Sequence, residues 1–204
     1  VRQRTDGRKE ELFAAPYSAR NRVHEYGGAA WRVHQGVLYF SNDADQRIYR
    51  SEAGGVPLPL TPEAALRYAD FCIDPHRRLL WCVREDHRQG GEPHNAVVAL
   101  RCDGVGGVGG DAGRVVAEGS DFVAAPRLSP DGRQLAWLQW NHPDMPFFRC
   151  ALWLAEVDDA GALRREFRQR IGQAADIVGG FGWAQRYLDR AELAAERVAA
   201  LLRE

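Results

Sequence analysis

One short run in this sequence combines ionisable side chains with glycine, as expected where a chain must both contact a ligand and turn sharply. His24, Glu25 and Tyr26 are followed directly by Gly27 and Gly28. Imidazole, carboxylate and phenol groups can donate, accept or carry charge, and glycines let a backbone approach its neighbours closely. The run predicts a substrate-facing loop formed by His24, Glu25 and Tyr26, or else a tight structural turn in which Tyr26 is packed.

A second polar run follows a Trp-rich segment later in the chain. Asn141 and His142 are followed by Pro143 and Pro146, which would hold the loop rigid. Rigid loops on a β scaffold often carry binding residues, so Asn141 and His142 are further candidates for contact with a substrate. A purely structural connection between two strands is the alternative, and the sequence leaves both open.

No residue of the sequence can be assigned to a catalytic triad. A serine nucleophile on a tight elbow requires the pattern Gly-x-Ser-x-Gly, because larger flanking side chains would clash there. None of the five serines has this setting. They are Ser18, Ser41, Ser51, Ser120 and Ser129. We therefore expect no catalytic residue in this chain.

The sequence predicts no cofactor. Gly104, Gly106 and Gly109 match a dinucleotide-binding fingerprint by letter, but a strand-like run rather than a helix follows them. The fingerprint requires a helix, because the helix N-terminus holds the pyrophosphate. A flexible Gly-rich loop is therefore the favoured interpretation of this segment.

The sequence predicts no metal site either. Two histidines, His87 and His94, flank a loop that also contains Glu85, Asp86 and Glu92. These groups could bind a metal, but solvated charges at a hairpin are the favoured interpretation. The cysteines lack the Cys-x-x-Cys spacing of zinc and redox sites, so we expect reduced, half-buried thiols. They are Cys72, Cys82, Cys102 and Cys150.

Between residues 29 and 157 a pattern of short strands and turns occurs three times. Strand-like segments rich in Val, Tyr, Phe and Trp are separated by Gly, Asn, Asp and Pro, which favour turns. Tyr39, Trp81 and Trp137 mark equivalent positions, at a spacing close to the roughly 40–50 residues of a propeller blade. The repeats predict a mainly β fold, a partial β-propeller of about three blades of antiparallel strands. A closed barrel is the alternative.

The sequence changes character after Val157. Within 184–204, apolar residues recur at steps of three and four and charged residues fill the other positions, which predicts a C-terminal amphipathic α-helix. We divide the chain into a partial propeller over residues 1–160 and a linker with a helical tail over residues 161–204. The helix could cover an open sheet edge, pack on a blade face or pair with a second copy.

Composition excludes two classes of partner. The 204 residues carry a net charge of −1, so no bulk attraction to nucleic acid or to an anionic membrane is expected. No apolar run approaches the roughly 20 residues of a membrane span, and the first eleven residues do not resemble a signal peptide. These features predict a cytoplasmic protein, although the initial Val leaves open a missing start.

Together these runs resemble a known family. Arg-Val-His-Glu-Tyr-Gly-Gly at 22–28, Leu-Tyr-Phe-Ser-Asn at 38–42 and Pro-Arg-Leu-Ser-Pro-Asp-Gly at 126–132 are similar to the N-terminal β-propeller of bacterial S9 serine peptidases. These are prolyl oligopeptidase-like enzymes of the acylaminoacyl-peptidase and dipeptidyl-aminopeptidase type. Further similar segments lie at 44–49, 66–70, 82–87, 137, 140–143 and 145–146. The resemblance covers about residues 15–157.

The resemblance implies an architecture and a function. Family members join a propeller to a C-terminal α/β-hydrolase domain that carries Ser, Asp and His, and the propeller restricts entry to short peptides. No segment here is similar to the hydrolase domain, so no catalytic residue carries over. The resemblance implies the substrate-gating propeller portion of a peptidase, binding short peptides if joined to a hydrolase domain. A non-catalytic interaction scaffold and a remnant without function are the alternatives.

Two features depart from the family. Phe147-Phe148-Arg149-Cys150 stands where members have a Trp-Asp-Gly-Thr-like turn, and the resemblance ends near Gly161. We therefore expect a truncated or rearranged gene product, or alternatively a standalone protein with a helical cap. About three blades cannot close a ring, so we also expect self-association through open sheet edges or through the C-terminal helix.

Overall fold

Three antiparallel β-sheets follow one another along the chain. The computed structural model of the protein describes residues 2–3, 7–52, 55–103, 110–164 and 169–173. Each sheet has four strands in simple sequential order, as in the blades of a propeller, and we call them blades I, II and III. A two-stranded sheet of β1 (Arg2–Gln3) and β2 (Lys9–Glu10) precedes them.

Each blade contains four consecutive strands of the chain. Blade I consists of β3 (Trp31–His34), β4 (Val37–Ser41), β5 (Ile48–Ser51) and β6 (Leu58–Pro59). Blade II consists of β7 (Leu66–Asp74), β8 (Leu79–Asp86), β9 (His94–Arg101) and β10 (Arg114–Ala117). Blade III consists of β11 (Phe122–Leu128), β12 (Gln134–Trp140), β13 (Ala151–Glu156) and β14 (Gln169–Gln173).

The three repeats predicted from the sequence are confirmed. Tyr39, Trp81 and Trp137 lie in the second strands of blades I, II and III, and all three side chains are buried. The turn predicted between β11 and β12 also forms, with the Gly132 N–H donating to the carbonyl of Ser129 at 2.9 Å. Gly132 has a φ of 73°, a conformation that glycine adopts without strain.

The predicted fold class is wrong in its helical part. Every regular element of the described residues is a strand, and none of them is a helix. In the segment for which the sequence predicts a linker, β14 pairs with β13. The edge of β13 carries backbone groups that need hydrogen-bond partners, and β14 supplies them. The segment 184–204, on which the helix prediction rested, lies outside the described residues.

The cysteines are free thiols, with Cys82, Cys102 and Cys150 buried and Cys72 half-buried. Burial raises the pKa of Cys72 and of Cys82, so these thiols are protonated at neutral pH. The Gly-rich segment 104–109 lies outside the described residues. The part of the chain that is described contains no helical segment of the length and hydrophobicity that crossing a bilayer requires.

The first strands of the blades lie side by side, with β7 packed between β3 and β11. Apolar side chains fill the space between neighbouring blades. Between blades I and II the core includes Ile48, Tyr68 and Leu80. Between blades II and III it includes Trp81 and Trp137. This packing places β7 directly beside both β3 and β11.

A buried carboxylate joins all three first strands. Asp70 lies at a β-bulge in β7, and its side chain accepts the N–H of Ala29 at 2.7 Å through Oδ1 and the N–H of Ala125 at 2.9 Å through Oδ2. Ala29 directly precedes β3 in the chain, and Ala125 lies in a bulge of β11. The N–H of Asp70 also donates to the carbonyl of Ala29 at 2.9 Å, so one residue fixes the spacing of the blades.

A second connection joins blades II and III where β7, β11 and β13 end. Arg77 donates through Nη1 to the carboxylate of Asp74 at 2.7 Å and to the carbonyl of Gly132 at 2.9 Å. Its Nε donates to the carbonyl of Asp158 at 2.8 Å. The rigid guanidinium fork therefore holds three turns at once.

We expect Asp70→Asn to lower the free energy of unfolding by about 1–3 kcal/mol, because one of two buried N–H groups loses its charged acceptor. Asp159→Asn, at an exposed carboxylate of a surface loop, is the matched control and should change it by less than about 0.5 kcal/mol. Urea denaturation of the two variants measures both values. Equal stability of the two variants would contradict the role of Asp70.

We expect Arg77→Lys to destabilise the chain by about 1–2 kcal/mol, because an ammonium group cannot reproduce the planar fork that reaches three acceptors. Arg78→Lys, at the neighbouring exposed arginine, is the control and should be nearly neutral. Thermal or urea unfolding compares them. If the two lysine variants unfold alike, Arg77 does not hold the turns together.

Candidate functional site

The two runs singled out by the sequence lie at the same end of the blades. At this end β3, β7 and β11 begin and β4, β8 and β12 finish, as the pairs Trp31–Phe40, Leu66–Asp86 and Phe122–Trp140 show. We call it the entry end. The loop 22–28 precedes β3, and the loop 141–150 connects β12 to β13.

The loop 22–28 has an unusual backbone that its side chains alone would not favour. His24 and Glu25 have positive φ values of 54° and 65°, which are uncommon for residues other than glycine. Asn21 holds the loop closed, since its Oδ1 accepts the N–H groups of Val23 and Gly28 and its Nδ2 donates to the carbonyl of Gly28. Such backbone strain is retained where the surroundings fix it firmly, often at functional sites.

The glycine at position 28 is required by close packing. A Cβ at Gly28 would lie 2.6 Å from Oδ1 of Asp70 and 2.9 Å from Cβ of Ala69. Neither atom can move away easily, because Asp70 is tied to Ala29 and Ala125. The close approach predicted for the two glycines of this run therefore occurs, and it places the loop directly against the junction of the three blades.

His24 is packed among aromatic rings at the boundary of blades II and III. Its imidazole lies 5.3 Å from the ring of Phe122 and 5.4 Å from the ring of Trp140, both edge to face. Its main-chain N–H donates to Oε1 of Glu85 at 2.6 Å. Burial lowers the pKa of His24, and the carboxylates of Glu85 and Asp70 partly offset that effect. His24 is therefore neutral at physiological pH.

Glu25 and Tyr26 project from the same loop toward solvent. The carboxylate of Glu25 accepts a hydrogen bond from Nη1 of Arg67 at 2.6 Å, which lowers the pKa of Glu25. The same Nη1 also donates to the carbonyl of Arg22 at 2.8 Å. Tyr26 is 61% exposed, so the packing of Tyr26 that a purely structural turn would predict does not occur.

A buried carboxylate supports the loop from blade II. Glu85 in β8 is 2% exposed, and its Oε2 lies 3.1 Å from Nε2 of His87 and 3.5 Å from Nη1 of Arg67. The sequence favoured solvated charges in this segment, and for Glu85 that interpretation is wrong. The burial of a charge at this depth is tolerated because several donors surround it.

The loop 141–150 is organised around Asp121. Oδ1 of Asn141 accepts the N–H of Asp121 at 2.8 Å, and the carboxylate of Asp121 accepts the N–H of His142 at 2.9 Å. The carboxamide oxygen of Asn141 thus stabilises the turn. Asn141 and His142 both remain exposed. Trp140, which precedes Asn141, touches the ring of His24. The first run therefore contacts the strand residue that directly precedes the second run.

The acidic loop between β8 and β9 does not assemble a metal centre. His87 pairs with Glu85, His94 lies 3.2 Å from Glu118, and Asp86 pairs with Arg88. Nowhere in the described part of the chain do three or more His, Cys, Asp or Glu side chains gather in a way that could hold an ion. These side chains instead form separate pairwise contacts.

Several serine hydroxyls already make structural hydrogen bonds. Ser41 donates to the carbonyl of Tyr68 at 2.5 Å, Ser51 to the carbonyl of Glu52, and Ser129 to the carboxylate of Asp131. Ser120 accepts from the amide of Gln139. None of these contacts pairs a serine with a histidine base, which is the arrangement that activates a nucleophile.

Sequence reasoning missed Asp70, Glu85, Asn95 and Asp121 as parts of the site. One signal for Glu85 exists in the sequence. Trp81, Val83 and Glu85 alternate along β8 and therefore share one face, and the first two are fully buried. A carboxylate in phase with buried apolar residues indicates an internal charge. The other three carry no comparable local signal.

A cleft of about 780 Å³ lies at the opposite end of blades II and III. Its lining mixes cationic and anionic side chains and contains none of the residues predicted as substrate-facing. It includes Arg77, Ser129, Asp131, Arg133, Glu156 and Arg164. Arg77 is already committed to three acceptors there, so this cleft is best explained as the space between linked turns.

Similar solved structures are peptidases that act on puromycin. A puromycin hydrolase mutant complexed with PGG is 36% identical over 84% of this chain, with a TM-score of 0.74. A further puromycin hydrolase structure is 35% identical over 84% of the chain, with a TM-score of 0.73. A puromycin-hydrolyzing peptidase of Mycobacterium tuberculosis is 38% identical over 80% of the chain, with a TM-score of 0.70.

The match extends over a fraction of each of those proteins. The chain spans 28%, 28% and 27% of their respective lengths. No model of a protein family matches the sequence, and no curated protein matches it significantly. The matched region consists of propeller blades, and its identity to three peptidases exceeds one third. This chain therefore corresponds to the β-propeller region of the S9-type serine peptidases.

Proposed function

We propose that this chain is the substrate-gating propeller portion of an S9-type serine peptidase that acts on short peptides. The observation that carries the proposal is the assembly of His24 with Trp140, the residue directly before the loop 141–150, at the entry end of the blades. This assembly occurs in a chain 36% identical to a puromycin hydrolase over 84% of its length. Catalysis would require residues other than those described here.

We propose that His24, Glu25, Tyr26, Asn141 and His142 face the peptide. Glu25 and Tyr26 offer an exposed carboxylate and an exposed phenol, which are suited to the polar backbone and the termini of a short peptide. His142 extends from a turn that Asp121 holds in place. A rigid rim of this kind admits a thin, extended chain and excludes a folded protein, which is the physical basis of gating.

The chemistry of such a peptidase would lie outside the described residues. Acyl transfer needs a nucleophile hydrogen-bonded to a base, with the base held by a third group. The five serines lack the Gly-x-Ser-x-Gly setting. This supports a division of roles in which this chain binds and orients the substrate and a hydrolase domain supplies the triad. The acylaminoacyl-peptidase or dipeptidyl-aminopeptidase type and a cytoplasmic location stay predictions.

A non-catalytic interaction scaffold is the second candidate, and the exposure of β3 favours it. Trp31 and Val33 on β3 are 59% and 48% exposed, whereas the equivalent strands β7 and β11 are largely buried. An exposed apolar strand at a sheet edge invites pairing with another chain. A scaffold of this kind would be observed as self-association of the chain through the edge strand β3.

We expect the purified chain alone to hydrolyse neither puromycin nor short chromogenic peptides, and to remain unlabelled by a fluorophosphonate serine probe, because none of the serine contacts in the described residues involves a histidine base. The measurement is turnover and probe labelling, with a puromycin hydrolase as positive control. Turnover that disappears on replacing one of the five serines would mean that the chain carries its own nucleophile.

We expect Tyr26→Ala to weaken the binding of short peptides roughly fivefold, because one exposed aromatic contact contributes on the order of 1 kcal/mol. Val56→Ala removes an apolar side chain that is 75% exposed at the other end of blade I, so it should leave binding unchanged. Isothermal titration or NMR titration measures both affinities. Equal affinity of the two variants would remove Tyr26 from the proposed rim.

A further inference from the structure

Two buried polar atoms beside the loop 22–28 have no hydrogen bond to another described residue. They are Nε2 of His24 and Oδ1 of Asn95. Asn95 lies in β9 and is 1% exposed. Asn95 is the cross-strand partner of Glu85, whose carboxylate accepts the main-chain N–H of His24 at 2.6 Å, so Asn95 and His24 are neighbours around one carboxylate. Because buried polar groups in proteins are nearly always satisfied, each of these atoms is the natural partner of the other.

We propose that His24 is held as the neutral Nε2–H tautomer, with this N–H donating to Oδ1 of Asn95, and that Asn95 is thereby the positioning residue of the site. Hydrogen positions follow from the network that surrounds a ring. An amide oxygen can only accept, so the ring nitrogen facing it must carry the proton. The role of Asn95 at a substrate site rests on the proposed function, whereas the tautomer of His24 can be tested without it.

The other end of the same amide reaches the second loop. Nδ2 of Asn95 donates to the carbonyl of Asp121 at 2.7 Å. Asp121 in turn accepts from His142 through its carboxylate and donates its N–H to Asn141. One fully buried side chain therefore links the His24 loop of the entry end to the loop 141–150. The two loops then move as a single unit rather than independently.

The tautomer decides what His24 can offer to a peptide. With the proton on Nε2, the other ring nitrogen, Nδ1, is an acceptor. His24 would then receive a hydrogen bond from a donor such as a peptide N–H. The charged groups around it are the carboxylates of Glu85 and Asp70 and, through Glu85, the guanidinium of Arg67 and the ring of His87.

The tautomer can be read directly from the full chain labelled with 15N-histidine. Long-range 1H–15N NMR distinguishes protonated from unprotonated ring nitrogens, and His24→Gln identifies the resonances of His24. The expected spectrum at neutral pH has a protonated Nε2 and an unprotonated Nδ1. A protonated Nδ1 with an unprotonated Nε2 would overturn the proposal, whatever the protein does with peptides.

Two substitutions at Asn95 test its positioning role. Asn95→Ala should mix the tautomers of His24 and accelerate amide exchange at both Asp121 and His142. Asn95→Asp keeps an acceptor for the ring and adds a negative charge, which should raise the titration midpoint of His24 by about one pH unit. An Asn95→Ala spectrum identical to that of the unsubstituted chain would contradict the role of Asn95.

Asn42→Ala is the matched control, because Asn42 is also buried and its Oδ1 accepts the N–H of Ser18, in the segment before blade I. It should leave the tautomer of His24 unchanged. If Asn95→Ala does not fold, the tautomer in the unsubstituted chain still decides the proposal. A failure to bind peptides would refute the proposed function and leave the tautomer of His24 untouched, so the two proposals can be tested separately.

Discussion

The carboxylate of Asp70 is the contact on which the arrangement of the blades depends. It accepts one N–H from the segment entering β3 and one from the bulge in β11, so a single buried charge fixes three strands that apolar packing alone would let slide. Hydrogen bonds to an ionised group are stronger and more directional than dispersion contacts. The loop 22–28 presses against this carboxylate at Gly28, and its shape therefore follows from the junction of the blades.

Further buried polar groups extend this control to the entry end. Glu85 holds the main chain of His24, Asn21 closes the loop, and Asn95 reaches across to Asp121. Burying a charge or an amide has a large desolvation cost unless its partners are in place, so such a network tolerates few alternative arrangements. It can therefore hold His24 and Glu25 at positive φ and present Tyr26 in a fixed position. Rigidity of this kind is what the proposed gate for short peptides would require.

Much of the fold could be predicted from local patterns, whereas most of the site could not. Alternating aromatic strands and the turn at Ser129–Gly132 are signals within a few residues, and they led to three repeats marked by Tyr39, Trp81 and Trp137. Asp70 and Asn95 act through partners on distant strands, and no local pattern reports such contacts. The helix prediction rested on a local signal alone. A helical period of apolar residues does not report whether the fold offers a surface for the helix to pack against. The loop 22–28 was recognisable because two glycines beside ionisable residues are a local sign of close approach.

The proposed function requires that a peptide bind at the entry end and not at the opposite end of the blades. Mapping NMR chemical-shift changes of the full chain as a short peptide is added tests this most directly. We expect the changes to concentrate at 24–28, at Trp140 and at His142. Changes confined to the cleft around His76, Ser129 and Arg133 at the opposite end would contradict it.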